Sequence, residues 1–557
     1  MPSPHAPLTR IRPLAAAIAL ALLAVAGAGG ALAQSPRVGG TVVFGTQGAA
    51  SGLREPACLN ALVDACITTG LVTPTIAQKV LLGAFEARPD WTWREKLVTK
   101  VDFTTTPPFT LVYHIRPEAR WSDGVPVSAR DFVFTHRAAL ALKDELLGAL
   151  GRDHVEQVRR VDRLDAKTVR VVLRSRFAGW RGLFAMVLPS HALAGEDLRR
   201  IWTDGIDNPK TRAPIGSGPF LVERWERDKQ VTLVRNPRYW GAHRSYLDRI
   251  VFRYRMSSPS PVDWLRSGEV DVAHHFVLAG VPALRQERGV RIVPGPTSGY
   301  EHFTFRLGRG GHPALRSKLV RRALAHAIDR AALIAGSPFG GADPMLRPLE
   351  SVVFFAQSPH YKSKWSAYRH SPQVARRLLE QAGCRRGADG IYVCAGERLS
   401  LRFVTVAGLP ARARVLSLVQ EQLRQSGVDV RPSFTTFGAL FGQLIPSGDF
   451  DVAYFGWVLS SPSASGADTV YSCGGSQNYG GYCQRLVTRD LDQANRILDA
   501  ERQARALNRA DAQMARDVPV IPFVQVPFPA AIRATVRGVV LSPFNPLWNA
   551  EDWWLER

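Results

Sequence analysis

The chain contains none of the short motifs that mark common catalytic centres: no Gly-x-Ser-x-Gly elbow, no His-Glu-x-x-His, no complete phosphate loop and no Gly-x-Gly-x-x-Gly. Enzymes built on those devices are thereby excluded. Cysteine is scarce, six in 557 residues, and no two stand at the two-residue spacing of a zinc knuckle. Acidic residues are few as well, 48 against 71 Lys and Arg, for a formal charge of +23. The basic residues are spread along the whole chain, with no Lys/Arg tract interleaved with aromatics. A solvated Arg-rich surface is therefore expected, and no nucleic-acid partner. Long apolar runs are absent except for one, Leu14 to Ala33. No later segment reaches the roughly 18 apolar residues of a membrane helix, so the mature chain is not expected to span a bilayer.

Arg10 and Arg12 precede that run, and Ala31-Leu32-Ala33 ends it before Gln34. A basic start, an apolar middle and a small-residue end read as a secretory signal peptide, residues 1–33, cut after Ala33. An uncleaved anchor is the alternative; Gly27, Gly29 and Gly30 loosen the end of the run, which favours cleavage. No Cys lies near the cut to carry a lipid. A periplasmic or secreted location follows, and an oxidising compartment suits the six cysteines. These fall into near neighbours, Cys58 with Cys66, Cys384 with Cys394, and Cys473 with Cys483. Sequential disulfides across short, Gly-rich loops are expected; buried free thiols are the alternative.

Leu111, Tyr113 and Ile115 alternate with Val112, His114 and Arg116, the period of a half-buried strand. Pro117 breaks it, Trp121-Ser122-Asp123-Gly124 supplies a turn, and Ser128 with Asp131 predicts a capped helix start. Trp121 and Asp123 read as architecture. "TPTIAQKVLLGAFE" predicts a helix with Ile76, Val80 and Phe85 on one face, and "TVRVVL" and "LDRIVFRYR" predict strands. After Tyr300, helices and strands alternate. Leu319 to Leu333 predicts one amphipathic helix, with Leu319, Ala323, Ala327 and Ile328 inside; "SPQVARRLLEQAG" is a second, ended by Gly383. "RLSLRFVTV", "VDVRPSFTT" and "FDVAYFGW" predict strands around the helix "RARVLSLVQEQLRQSG", an order that argues for a mixed α/β sheet.

The stretch Tyr113 to Leu140, followed by "IGSGPFLVERW" from Ile215 and "VTLVRNPRYWGA" from Val231, closely resembles the signature of the peptide-binding family of ABC-importer substrate-binding proteins. The helix "VRRALAHAIDRAALI" and the strand "DVPVIPFVQV" resemble further parts of the same family. The resemblance implies an α/β, two-lobe periplasmic-binding-protein fold of type II, in its large three-domain form. Lobe I would comprise 34–75, 212–297 and 517–557, with a small domain inserted at 76–211 and lobe II at 298–516. Strands crossing near residues 297 and 517 would form the hinge. The implied function is delivery of a peptide or peptide-like solute to importer permease subunits, by a monomer without cofactor or catalysis. A non-peptide solute (opine, glycoside or metal chelate) is the alternative, then a secreted enzyme or an envelope chaperone on the same fold.

His274 and His275 are adjacent on a predicted strand and so point to opposite faces, a poor metal site; His302 and His326 lack partners nearby in sequence. No metal ligand set is expected. By the resemblance, the segment after Gly456-Trp457 faces the cleft, and the Asp that pairs with a peptide's ammonium in the family is Ser460 here. A hydroxyl cannot neutralise a buried cation. Asp468 substitutes if the loop from Pro462 to Gly466 folds back. Trp457 is read as a pocket wall or a core residue, Tyr454 and Tyr300 as cleft residues, and Asn478 and Tyr479 as a polar-aromatic loop near the cleft or a stapled surface loop.

Overall fold

The computed structural model describes residues 35–47, 58–63, 66, 72–143, 151–227, 229–255, 261–274, 280–343, 346–458 and 466–556. The expected signal segment with its cut at Ala33, His275 and Ser460 lie outside them. Three sheets carry the architecture. The first has seven strands, in spatial order Val290–Val293, Ala530–Arg533, Val272–His274, Thr41–Gln47, Arg249–Arg255, Gln230–Arg235 and Phe220–Glu226. Thr41–Gln47 lies at its centre, parallel to both neighbours.

Beside it stands an antiparallel four-stranded sheet, Val98–Phe103, Thr110–Ile115, Thr168–Leu173 and Val158–Arg163. Leu111, Tyr113 and Ile115 alternate inward along the second of these strands. Trp121 is buried and donates from Nε1 to Asp131 Oδ2 at 3.4 Å, while the Ser128 amide donates to the same oxygen at 2.8 Å and so fixes the helix Ala129–Ala141. Asp123 accepts from the Val125 amide and contacts His191 at 2.7 Å. One continuous apolar core, including Phe44, Tyr113, Trp121 and Phe252, joins these two sheets.

The second core surrounds a five-stranded sheet, called the second sheet from here on, Asp429–Thr435, Ser400–Val406, Val452–Val458, Pro296–Phe305 and Val520–Pro527. Two segments link it to the first sheet. One runs from Val293 into Pro296. The other leaves the second sheet at Pro527 and enters the first at Ala530, later than the position near 517 that the sequence predicts. The reason is that Val520–Pro527 pairs along Pro296–Phe305 and is almost wholly buried there. The two links touch: the Phe528 amide donates to Gly295 O at 2.6 Å, and a Cβ on Gly295 would stand 1.9 Å from Phe528 O, so only glycine allows the approach.

Two helix expectations are corrected. Leu319 to Leu333 is not continuous: helix Lys318–Ala327 ends where Ile328 turns extended, and Asp329 caps a second helix, Arg330–Ala335, by accepting from the Ala332 amide; Leu319 is only half-buried. Phe85 is not on the helix Val72–Val80 but in the strand Phe85–Ala87. All three sequential disulfides form, with Cα separations of 5.1, 4.3 and 4.4 Å. Among the described residues no helix is long and apolar enough to cross a membrane.

Candidate ligand site

A cavity of about 590 Å³ lies between the second sheet and the hairpin of Phe85–Ala87 and Trp93–Glu95, with His274 of the first sheet on its border. One wall comes from the second sheet, where Pro296 to Glu301 and Gly456 to Val458 lie side by side, with Tyr300 opposite Trp457 in register. The opposite wall comes from Phe85 to Ala87, Trp93 and Lys96, and the loop from Leu541 to Trp548 closes the floor.

Trp457 is half-buried and lines the cavity. Behind it the indole is held between rings: His302 at 6.2 Å and 11°, Tyr479 at 5.9 Å and 13°, and Phe455 edge-on at 5.2 Å. A rigid aromatic plate results, packed among these rings and bordering the cavity. Tyr300 also lines the cavity, and its hydroxyl meets that of Tyr471 at 3.0 Å; burial pushes its phenol up and keeps it neutral. His302 is fully buried, with Nδ1 2.9 Å from Thr304 Oγ1 and Nε2 without a hydrogen-bond partner. Burial, reinforced by Arg412, lowers this imidazole to about 3, so it stays neutral.

Three of the predicted residues stand off the cavity wall. Tyr454 is fully buried in the second core, against Phe303 at 4.8 Å, because strand alternation turns it to the face opposite Phe455 and Trp457. Asn478 spends its side chain inside its own loop, donating to Ser472 O and Tyr482 O and accepting from the Tyr482 amide. Tyr479 lies one layer back, behind Trp457. Asp468 is likewise not on the wall. It sits in the first turn of the helix Ala467–Tyr471, and its charge helps Glu156 and, above both, burial to raise the Asp153 carboxyl.

The charged residues of the cavity carry no sequence motif. Arg412, from the helix Pro410–Gln425, grips Glu301 through Nε at 3.0 and 3.2 Å and a terminal nitrogen at 2.7 Å. Across the cavity Glu86 is shared by Lys79 at 3.4 Å, Lys96 at 3.3 Å and Arg94, and Glu551 by Lys79 at 3.3 Å and Lys96 at 3.6 Å. Burial alone would raise the Glu86 carboxyl, but Lys79, Lys96 and Arg94 override it and hold the group down at about 2. Glu551 is lowered in the same way, against its burial, by Lys79 and Lys96.

At the rim, Trp91 joins the parts of the molecule. It precedes the strand Trp93–Glu95, has a left-handed backbone (φ 63°), and is buried against Phe355 at 4.8 Å and Phe544 at 4.7 Å, with its Nε1 unpartnered. On another side the Ala178 amide donates to Asn495 O at 2.8 Å, and Leu498 packs on the first core. Among the described residues, no group of three or more His, Cys, Asp or Glu is arranged to hold a metal.

Known proteins resemble the chain in sequence and fold. The chain is 28% identical over 447 residues to the oligopeptide-binding protein OppA of Mycobacterium tuberculosis, covering 79% of this chain and 73% of that one. It is 23% identical over 454 residues to the oligopeptide-binding protein AppA of Bacillus subtilis, covering 80% of each. Its fold matches the periplasmic EDTA-binding protein EppA with a TM-score of 0.75 at 24% identity, over 94% of this chain and 98% of that one. The substrate-binding protein CtaP of Listeria monocytogenes matches with a TM-score of 0.77 at 19% identity, over 93% and 100%. Residues 92–478 match the model of the middle region of the bacterial extracellular solute-binding proteins, family 5. The chain belongs to that family of bacterial extracellular solute-binding proteins: it is an extracytoplasmic receptor on the two-lobe α/β fold, and not an enzyme.

Proposed function

We propose that this receptor takes a peptide or peptide-like solute into the cavity by closing two lobes on it, and delivers it to the permease subunits of an ABC importer. The observation that carries the reading is the cavity itself, walled on one side by the second sheet and on the other by the Phe85–Ala87 hairpin, and bordered by two short links that touch at Gly295 and Phe528. Few joints and a large shared pocket suit hinge closure. Trp457 and Tyr300 supply apolar contact. Past Ala453, the strand Val452–Val458 is paired on one side only among the described residues, by Pro296–Phe305. Its other edge suits an extended ligand that needs main-chain partners. Relatives named for oligopeptide binding support the same choice.

In this reading, lobe I comprises 34–75, 212–297 and the chain after Pro527, the inserted domain 76–211, and lobe II 298–527. Secretion removes residues 1–33 and the mature receptor is a monomer. Ser460, just beyond the described end of the cavity strand, offers a hydroxyl and no charge to a ligand ammonium.

Native mass spectrometry of secreted protein purified without denaturation tests the proposal. A co-purifying peptide that leaves on unfolding and returns unaltered is expected. Chemical conversion of the bound species, or failure to take up any member of a mixed peptide library, would overturn it. Sequencing the same material should begin at Gln34.

A further inference from the structure

We infer that the wall formed by Glu86 and Lys96 is an anion subsite, in which Lys96 receives a carboxylate of the ligand; this rests on the receptor reading above and adds the ligand's charge to it. Five ionised side chains make up that wall and its backing. Lys79, Arg94 and Lys96 carry three positive charges, and Glu86 and Glu551 two negative ones. The remaining charged pair on the cavity, Glu301 and Arg412, cancels. The described wall therefore holds one positive charge more than it neutralises.

Position brings that surplus to the cavity at one residue. Lys79 is buried and spends its ammonium on Glu86, Glu551 and Trp548 O. Arg94 is committed to Glu86 through two nitrogens and stacks over Trp548 at 4.9 Å. Lys96 differs. Its side chain is 10% exposed and lines the cavity, and its ammonium, with three donors, meets two carboxylates at 3.3 and 3.6 Å. Beside it the Trp548 indole Nε1 is buried without a partner.

A buried ammonium with unused donors binds carboxylate more strongly than it binds any neutral acceptor, because charge-assisted hydrogen bonds gain most where water is excluded. A ligand ammonium meets the reverse: both carboxylates of this wall, and Glu301 on the other, are already claimed. The same carboxylate could arrive on a peptide, as its C-terminus or an acidic side chain, or on a non-peptide polycarboxylate.

The test presents ligand-freed receptor with a mixed tetrapeptide library of free acids, with the same library as C-terminal amides lacking Asp and Glu, and with citrate, and reads bound species by native mass spectrometry and affinity by calorimetry. Retained free acids should bind about tenfold or more tightly than their amides, the scale of one charge-assisted hydrogen bond. Lys96→Met makes the wall neutral and should erase that ratio, whereas Glu86→Gln adds to the surplus and should increase it. Thermal melts identify a variant that fails to fold, in which case the other decides. Equal binding of acids and amides by the native receptor overturns the anion subsite and leaves the peptide reading standing. Binding of citrate with neither library supports the subsite and overturns the peptide reading, and no binding of any probe overturns both.

Discussion

Glu301 and Arg412 meet one to one on the second-sheet side of the cavity, while across from them two carboxylates are divided among Lys79, Arg94 and Lys96. The first pair is geometrically closed: three short contacts use up the facing edges of both groups. The second group closes only at its back, around Lys79, and stays open at Lys96. Both are buried charge, yet a saturated pair fixes helix to sheet, whereas an unsaturated cluster has something left to offer a ligand.

Removing one partner from the closed pair should do the most harm. Arg412→Met leaves the Glu301 carboxylate, 7% exposed, without a counter-charge. A loss of about 3 to 5 kcal/mol in denaturant unfolding is expected, largely restored by adding Glu301→Gln. Lys96→Met, which leaves two cations for two carboxylates, should cost less than half as much. Equal losses would erase the distinction between the two walls.

The open cluster should be visible in the acid limb of stability. The Glu86 carboxyl lies at about 2 when folded against an ordinary 4.5, so its contribution is complete above 4.5 and is lost as pH falls toward 2. The contribution is on the order of 3 kcal/mol, and Glu86→Gln should flatten that limb. Asp511, in the second core, behaves oppositely. Burial raises it from 3.8 to about 6, outweighing its bonds from Trp365 and Val352, so its effect is a decline in stability as pH climbs from 3.8 to 6. Asp511→Asn should abolish that decline in pH-resolved unfolding.

Smaller effects belong to the aromatic plate. For Trp457→Ala, a loss of about 2 kcal/mol in ligand affinity is expected by calorimetry, with a lesser change in unfolding free energy since the ring is half-open to the cavity. Tyr479→Ala, which removes only the ring behind it, should weaken binding by about 1 kcal/mol or less. If Tyr479 mattered more than Trp457, the plate would be core rather than wall.

Legibility in the sequence followed range. Ser128 with Asp131, the alternation of Leu111, Tyr113 and Ile115, Gly383 after its helix at φ 82° and the three short disulfide loops are settled by neighbours within a few residues, and all were readable. Trp457 is read as a pocket wall or a core residue through a resemblance, not through periodicity. The alternation of Val452–Val458 separates Tyr454 from Trp457, but apolar residues fill both faces, so the pattern does not say which face is the cavity. The charged wall was invisible because its pairings are remote: Lys79 reaches Glu551 across 472 positions and Arg412 reaches Glu301 across 111. The break at Ile328 was hidden for another reason, since Asp329 fits a helix surface as readily as a cap until Ala332 is seen donating to it.

Trp91 bears on how quickly such a receptor empties. Its ring makes apolar contact with Phe355 and Phe544, but its indole N–H is buried and finds no acceptor. That uncompensated donor costs about 1 to 3 kcal/mol, and its left-handed backbone adds to the burden. In the proposed closure, opening this rim would rehydrate the donor, so the shut form would begin each release part of the way up the barrier. Under the proposed closure, the residue that packs at this rim would thus also shorten the time for which a ligand is held.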